Sequence, residues 1–213
     1  QIDARSGSGS GAAASTLQPV MGDNSLFSAK YTTVNWTGEL VSRAIDPQTG
    51  VISNSDTWSA EQLLDARVAA GTARNIYYMQ RTSGSNAGAL RSFTFANVDA
   101  DGLGGHFANV CSKAVPLTQC ADSGYNIASA NNGTNMVNYL RGSSDARYRA
   151  RQHILGDIVG GAPVFVRVPP FQYTENNYAS FVSANSARPG VVYVAANDGM
   201  LHAFDGTTGQ EKW

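Results

Sequence analysis

Ala203-Phe204-Asp205-Gly206-Thr207-Thr208-Gly209-Gln210-Glu211-Lys212-Trp213 reads A-x-D-x-x-T-G-x-x-x-W, and its chemistry is that of a tight turn between two strands. The Asp205 carboxylate can accept backbone N–H groups across the turn, and the Thr208 hydroxyl can add a further bond. Gly209 supplies the positive φ at which the next strand restarts. Upstream, Val191 to Ala196 is an apolar strand candidate, Asn197-Asp198-Gly199 a hairpin turn, and Met200 to Phe204 a second strand. Together these predict a β-meander.

Half of the pattern recurs as Ala44-Ile45-Asp46-Pro47-Gln48-Thr49-Gly50, with Trp58 later than strict repetition requires. The two copies lie much further apart than a repeat of about 40 to 50 residues, so a large insertion or further repeats must separate them. Between them, short apolar runs such as Asn75 to Met79 and Leu90 to Phe95 read as strands. One helix is expected over Ser59 to Ala70, with Ser59 and Gln62 as a capping box, Leu63, Leu64 and Val68 as the apolar face, and Gly71 as the stop. Residues 1–25, with SGSGSGAAAS at Ser6 to Ser15, read as a flexible linker and lead-in. The Asn-, Ser- and Gly-rich stretch towards Asn138 reads as a long loop, giving an insertion over about 97–138.

Composition narrows the function classes. Hydrophobic residues make up 42% of the 213 positions, enough for a core, while charged residues are only 15%. The net charge of -1 provides no field for nucleic acid or an anionic membrane. No run approaches the roughly 18 apolar residues that span a bilayer, so direct membrane insertion is not expected. Cys111 and Cys120 suit a local disulfide in an oxidising compartment, the alternative being two buried thiols; no CxxC spacing or second Cys/His pair accompanies them as a zinc site would require.

Other candidates carry two readings each. Asn97, Asp99 and Asp101, followed by Gly102, have the one-three-five oxygen spacing of a calcium loop, but the twelfth position is Ala108 instead of Glu. Calcium is therefore the only cofactor the sequence raises, against a solvated Asp-rich turn. Arg141, Arg147, Arg149 and Arg151 could meet an acidic partner or be balanced by Asp145 and Asp157. His106, His153 and His202 are scattered, without zinc-binding spacing, and read as structural.

The A-x-D-x-x-T-G-x-x-x-W pattern resembles the blade motif of quinoprotein-like β-propellers, with Ala44, Asp46, Thr49 and Gly50 as its partial copy and Ala203, Asp205, Thr208, Gly209 and Trp213 as its full one. Further segments resemble PilY-type type IV pilus assembly and tip adhesin proteins. These are Trp36-Thr37-Gly38-Glu39-Leu40, Trp58-Ser59-Ala60, Tyr139-Leu140-Arg141-Gly142, Arg151 to Ile158 with Ala162-Pro163-Val164, and Val192 to Asp205. The resemblance implies a mainly all-β chain, a partial β-propeller over 26–213 with one short helix and long loop insertions. The meander stops at Trp213 inside a blade, so the chain is expected to be the first part of a larger propeller, truncated at its C-terminus.

By the same resemblance the function is non-enzymatic. It comprises pilus biogenesis, adhesion, surface sensing and twitching motility, exercised outside the cell at the pilus tip after export through periplasm and outer membrane. The implied partners are minor pilins, the remaining domains of the same protein, and a host or abiotic surface. The family's calcium loop lies further along the propeller than this chain reaches, and the Arg-Gly-Asp of some members is here Arg141-Gly142-Ser143. Two other classes share the blade motif. A quinoprotein dehydrogenase would stack its quinone on adjacent cysteines, which Cys111 and Cys120 are not; a periplasmic assembly or lectin-like scaffold would lack the Arg151 to Ile158 segment.

Overall fold

Antiparallel pairing organises the described residues into three sheets. The computed structural model describes residues 8–14, 24–32, 36–80 and 88–213. In chain order the elements are strands β1 (Ser8–Ala14), β2 (Ser25–Thr32), β3 (Thr37–Ala44) and β4 (Trp58–Ser59), helix α1 (Ala60–Ala69), and strands β5 (Tyr77–Met79) and β6 (Leu90–Ser92). Helices α2 (Phe95–Ala100), α3 (Gly104–Phe107), α4 (Ile127–Ala130) and α5 (Gly133–Leu140) follow. The chain then runs through β7 (Val164–Val166), α6 (Tyr178–Ala184), β8 (Val191–Ala195) and β9 (Leu201–Asp205). The sheets have the orders β1-β2-β3-β4, β5-β6 and β7-β8-β9.

Two compact units result, one from Gln1–Ala69 with Gln152–Lys212, the other from Ala70–Arg151 together with Trp213. The first holds the four-stranded and three-stranded sheets and a single core. Side chains alternate faces along a strand, so β2 contributes Phe27 and Ala29, β8 contributes Val192 and Val194, and Phe204 comes from β9. Leu40, Trp58, Ala60, Leu64, Leu155 and Ile158 complete it. Phe27 lies against Trp58 at 5.7 Å and stacks with Phe165 at 5.1 Å between ring centroids.

Helix α1 follows its sequence signals closely. Ser59 Oγ accepts the Gln62 N–H at 3.4 Å, Leu64 is buried, and Gly71 takes φ +73° just past the end. Ser8–Ala14, in contrast, is not linker: its backbone pairs with β2 from Ser8↔Thr32 to Ala14↔Leu26. Strand pairing draws on the main chain, which every residue in this stretch possesses, so small side chains did not prevent it. Residues 1–7 and 15–23 of the expected linker and lead-in lie outside the described residues.

The second unit corrects the expectation of one helix and long loops. Four helices occupy the stretch read as a loop. Its Asn and Thr residues cap them, as Thr94 Oγ1 accepts the Asn97 N–H, Asn126 Oδ1 that of Ser129, and Asn132 Oδ1 those of Thr134 and Asn135. Val98, Val110, Ala130, Val137 and Tyr148 are buried, and Gly133 lets α5 approach the Phe95 ring, where an added Cβ would fall 1.9 Å from Cε2.

Candidate functional site

Both copies of the Asp-Thr-Gly turn adopt one geometry. Asp46 Oδ1 accepts the N–H groups of Gln48 and Thr49 at 2.7 and 3.0 Å, and Asp205 Oδ1 accepts those of Thr207 and Thr208, each at 3.0 Å. Gly50 and Gly209 each sit at φ +70° and donate to the Asp46 and Asp205 carbonyls at 2.8 Å. The Thr hydroxyls accept from Val51 at 3.3 Å and from Gln210 at 3.4 Å. Beyond each turn the chain rejoins the strand before it, through the bridges Ile45↔Ile52 and Phe204↔Glu211.

Each carboxylate is held below its ordinary range. For Asp46 the Gln48 N–H is the main cause, followed by that of Thr49. For Asp205, burial pushes upward but is outweighed by the Thr208 N–H, Lys212 and the Thr207 N–H.

Trp58 connects the two copies. Its indole Nε1 donates to the Gly206 carbonyl at 3.2 Å, and its ring covers Gly209, where a Cβ would meet Trp58 Cδ2 at 2.6 Å and Leu63 Cδ1 at 2.8 Å. The Trp following the first turn thus rests on the glycine of the second. Trp213, its counterpart in the motif, is 40% exposed.

Three of the segments quoted above meet beside this contact. Thr37 bridges to Gly156, and Gly38 is so close that a Cβ would fall 2.2 Å from the Gly156 carbonyl oxygen. Gly156 in turn lies against Asp198, and Asn197 bonds Asp157 through both its backbone N–H (2.9 Å) and its side chain (2.6 Å). Asp65 of α1 holds the same segment, accepting from the Ile154 N–H at 3.0 Å and pairing with His153 Nδ1 at 2.7 Å. Glu61 also faces His153, at 3.6 Å; burial raises its carboxyl above the usual range, against the pull of His153.

The calcium candidates are not arranged around an ion. Asn97 and Asp99 lie on α2, with Asp101 as its C-cap. Two residues along a helix turn a side chain by about 200°, so Asn97 and Asp101 share one side and Asp99 faces the other. Asn97 Oδ1 accepts from Arg91 at 3.1 Å, and Asp101 pairs with Arg91 and accepts from the Tyr78 hydroxyl. Burial and then Asp101 push the Tyr78 phenol up to about 12. Asp99 packs against Gly104. Among the described residues no three His, Cys, Asp or Glu side chains are grouped to hold a metal.

Cys111 and Cys120 form a disulfide, with Cα atoms 5.5 Å apart. The arginine cluster is largely engaged internally. Arg141 donates to the Phe93 and Arg74 carbonyls, Arg147 forks onto Asp145, and Arg151 bonds the Tyr139 and Ser143 carbonyls while lying 4.4 Å from the Tyr139 ring centroid. Arg149 is exposed. A cavity of about 240 Å³ in the first unit is walled by Asn24, Phe27, Ser42, Phe165 and Gly206, among others, all neutral, so it offers hydrogen bonds and apolar contact without an acid–base pair.

The fold defines a mainly β protein with small antiparallel sheets, two of which bear an Asp-Thr-Gly turn closed by its own side chains. The comparisons with known proteins give the relationship. The chain is 32% identical over 188 residues, 83% of its length, to the type IV pilus biogenesis factor PilY1 of Pseudomonas aeruginosa strain PAO1. It is 30% identical over 198 residues, 87% of its length, to a PilY1 homolog of Xylella fastidiosa strain Temecula1. The chain belongs to the PilY1 family of type IV pilus biogenesis factors. It spans 15% and 13% of the length of those two relatives. No protein-family model and no solved structure matches it. No described helix is long and apolar enough to cross a membrane.

Proposed function

We propose that the first unit forms two neighbouring blades of a β-propeller, and that this propeller is a non-enzymatic adhesion and assembly module of a type IV pilus tip protein. The observation that carries the reading is the seat of Trp58 on Gly209. It is head-to-tail, because the first copy contributes its Trp and the second its Gly. A head-to-tail contact repeated with a constant rotation closes into a ring when that rotation divides a full turn, and Trp213 is the motif position in the second copy that answers to the Trp of the first. The unit formed by Ala70–Arg151 is then a sequence insertion between the two copies of the turn, as functional loops often are in a scaffold.

In this reading the module is exported through the periplasm and outer membrane to the cell surface. There it docks minor pilins and the remaining domains of its own protein, and meets a host or abiotic surface during adhesion, surface sensing and twitching. The PilY1 relatives, named as type IV pilus biogenesis factors, support the pilus assignment. The test is an in-frame deletion of these 213 residues from the chromosomal gene, with surface pili counted by electron microscopy and surface attachment measured beside them. Loss of both is expected. Normal piliation and attachment would overturn the proposal.

A further inference from the structure

His202 is a buried histidine whose two ring nitrogens both face carboxylates. Its side chain is 1% exposed, Nε2 lies 2.9 Å from Asp198 Oδ2, and Nδ1 lies 3.3 Å from Glu211 Oε1. Asp198 belongs to the β8–β9 turn, and Glu211 to the segment that returns along β9 after the Asp-Thr-Gly turn. From α1, Arg67 donates to the Glu211 backbone carbonyl at 2.7 Å and approaches its Oε2 at 4.0 Å. The Phe204 ring stacks on the imidazole at 5.8 Å.

An ionised carboxylate only accepts hydrogen bonds, so each facing nitrogen must carry a proton to bond it. Both carboxylates have other positive or donor groups beside them. Asp198 also accepts the N–H groups of Met200 and Gly156, and Arg67 faces Glu211. Burial pushes the Asp198 carboxyl upward, but the hydrogen bond and charge of His202 outweigh it and hold the group below its usual range.

We propose that His202 is an imidazolium clamp, tying the β8–β9 turn to the segment Gln210–Lys212, and that loss of its proton releases that segment. With the proton present, the ring's positive charge and Arg67 balance Asp198 and Glu211. Without it, one nitrogen of the buried ring presents a lone pair to a carboxylate oxygen. Raising the pH therefore opens the clamp. Lowering it leaves the clamp shut until the carboxylates themselves take up protons. In the first copy β3 has Arg43 where β9 has His202, counting back from Asp46 and Asp205, and Arg43 pairs outward with Asp56 at 2.6 Å, so that copy provides an internal control.

The experiment is NMR of the 213-residue chain. Imidazole 15N shifts report whether both His202 nitrogens are protonated near neutral pH, and amide exchange reports the clamp. The Lys212 N–H, which donates to the Ala203 carbonyl at 2.7 Å, is compared with the Ser53 N–H, which donates to Ala44 at 2.8 Å. Between about pH 6 and about pH 9, Lys212 should lose at least about tenfold in protection factor while Ser53 keeps its own. His202→Gln should abolish the difference. A ring with only one protonated nitrogen at neutral pH would overturn the proposal. So would Lys212 protection that tracks Ser53; both readouts come from wild type, so the conclusion does not depend on the variant folding.

Discussion

Replacing Gly209 by Ala isolates the Trp58 contact, because the first copy of the turn supplies its own reference. Gly50 and Gly209 share φ +70°, so an alanine at either position carries the left-handed backbone penalty of about 1 to 2 kcal/mol. Nothing lies within 4 Å of a Cβ built at Gly50. At Gly209 the same Cβ falls 2.6 and 2.8 Å from two indole carbons of Trp58 and 2.8 Å from Leu63 Cδ1. Trp58 is only 7% exposed and is held by the Gly206 carbonyl, so it cannot swing clear. Overpacking of that kind costs about 1 to 3 kcal/mol. Gly209→Ala should thus lose about 2 to 5 kcal/mol and Gly50→Ala about 1 to 2. Urea denaturation followed by circular dichroism measures both. In a Trp58→Leu background the excess at Gly209 should shrink, which a double-mutant cycle reads directly. Equal losses at the two glycines, or an excess unchanged by Trp58→Leu, would refute the seating of Trp58 on the second turn.

Asp205→Ala removes the acceptor for two backbone N–H groups and the partner of Lys212 at 3.2 Å, and should cost about 1 to 2 kcal/mol, discounted for partial exposure. Because the folded-state carboxyl titrates below its unfolded value, its contribution is present above about pH 4 and lost as pH falls through the folded value. Acid denaturation of Asp205→Asn should therefore show a shallower slope there than wild type. Changing both Cys111 and Cys120 to Ser should destabilise the second unit by about 2.7 kcal/mol from loop-closure entropy, seen as faster exchange of its amides with those of the first unit unchanged. Spectrophotometric titration should find the Tyr78 phenol ionising only at about 12, and Asp101→Asn should bring it down.

Features set within about five residues were legible in the sequence; features set by distant partners were not. The Asp-Thr-Gly turn is closed by its own side chains and glycine, and α1 by Ser59, Gln62 and Gly71, so both could be read before any tertiary contact was known. The seat of Trp58 could not, since its indole bonds the carbonyl of Gly206, 148 residues away. Nor could Ser8–Ala14, whose strand exists only because β2 offers it a ladder. In the second unit the polar residues misled because Asn and Thr serve turns and helix N-caps alike. A signal was present: Asn132 precedes Met136, Val137 and Leu140 at helical spacing.

The calcium pattern shows the same limit at a site. Oxygen ligands at one, three and five converge when the backbone is a loop, and the spacing alone carries no φ or ψ. Thr94 caps a helix at that point, and helical geometry turns Asp99 away from Asn97 and Asp101. Arg91, from β6, then neutralises Asp101. Spacing is therefore evidence for a metal only once the backbone that bears it is known. The opposite holds for His202, which the sequence pattern marks only as a structural histidine. Its carboxylates come from four residues before it and nine after, and only the hairpin and the return along β9 bring them to opposite sides of one ring. A lone histidine in a strand thus acquires chemistry from topology, and the Asp-Thr-Gly turn supplies that topology by sending the chain back along its own strand.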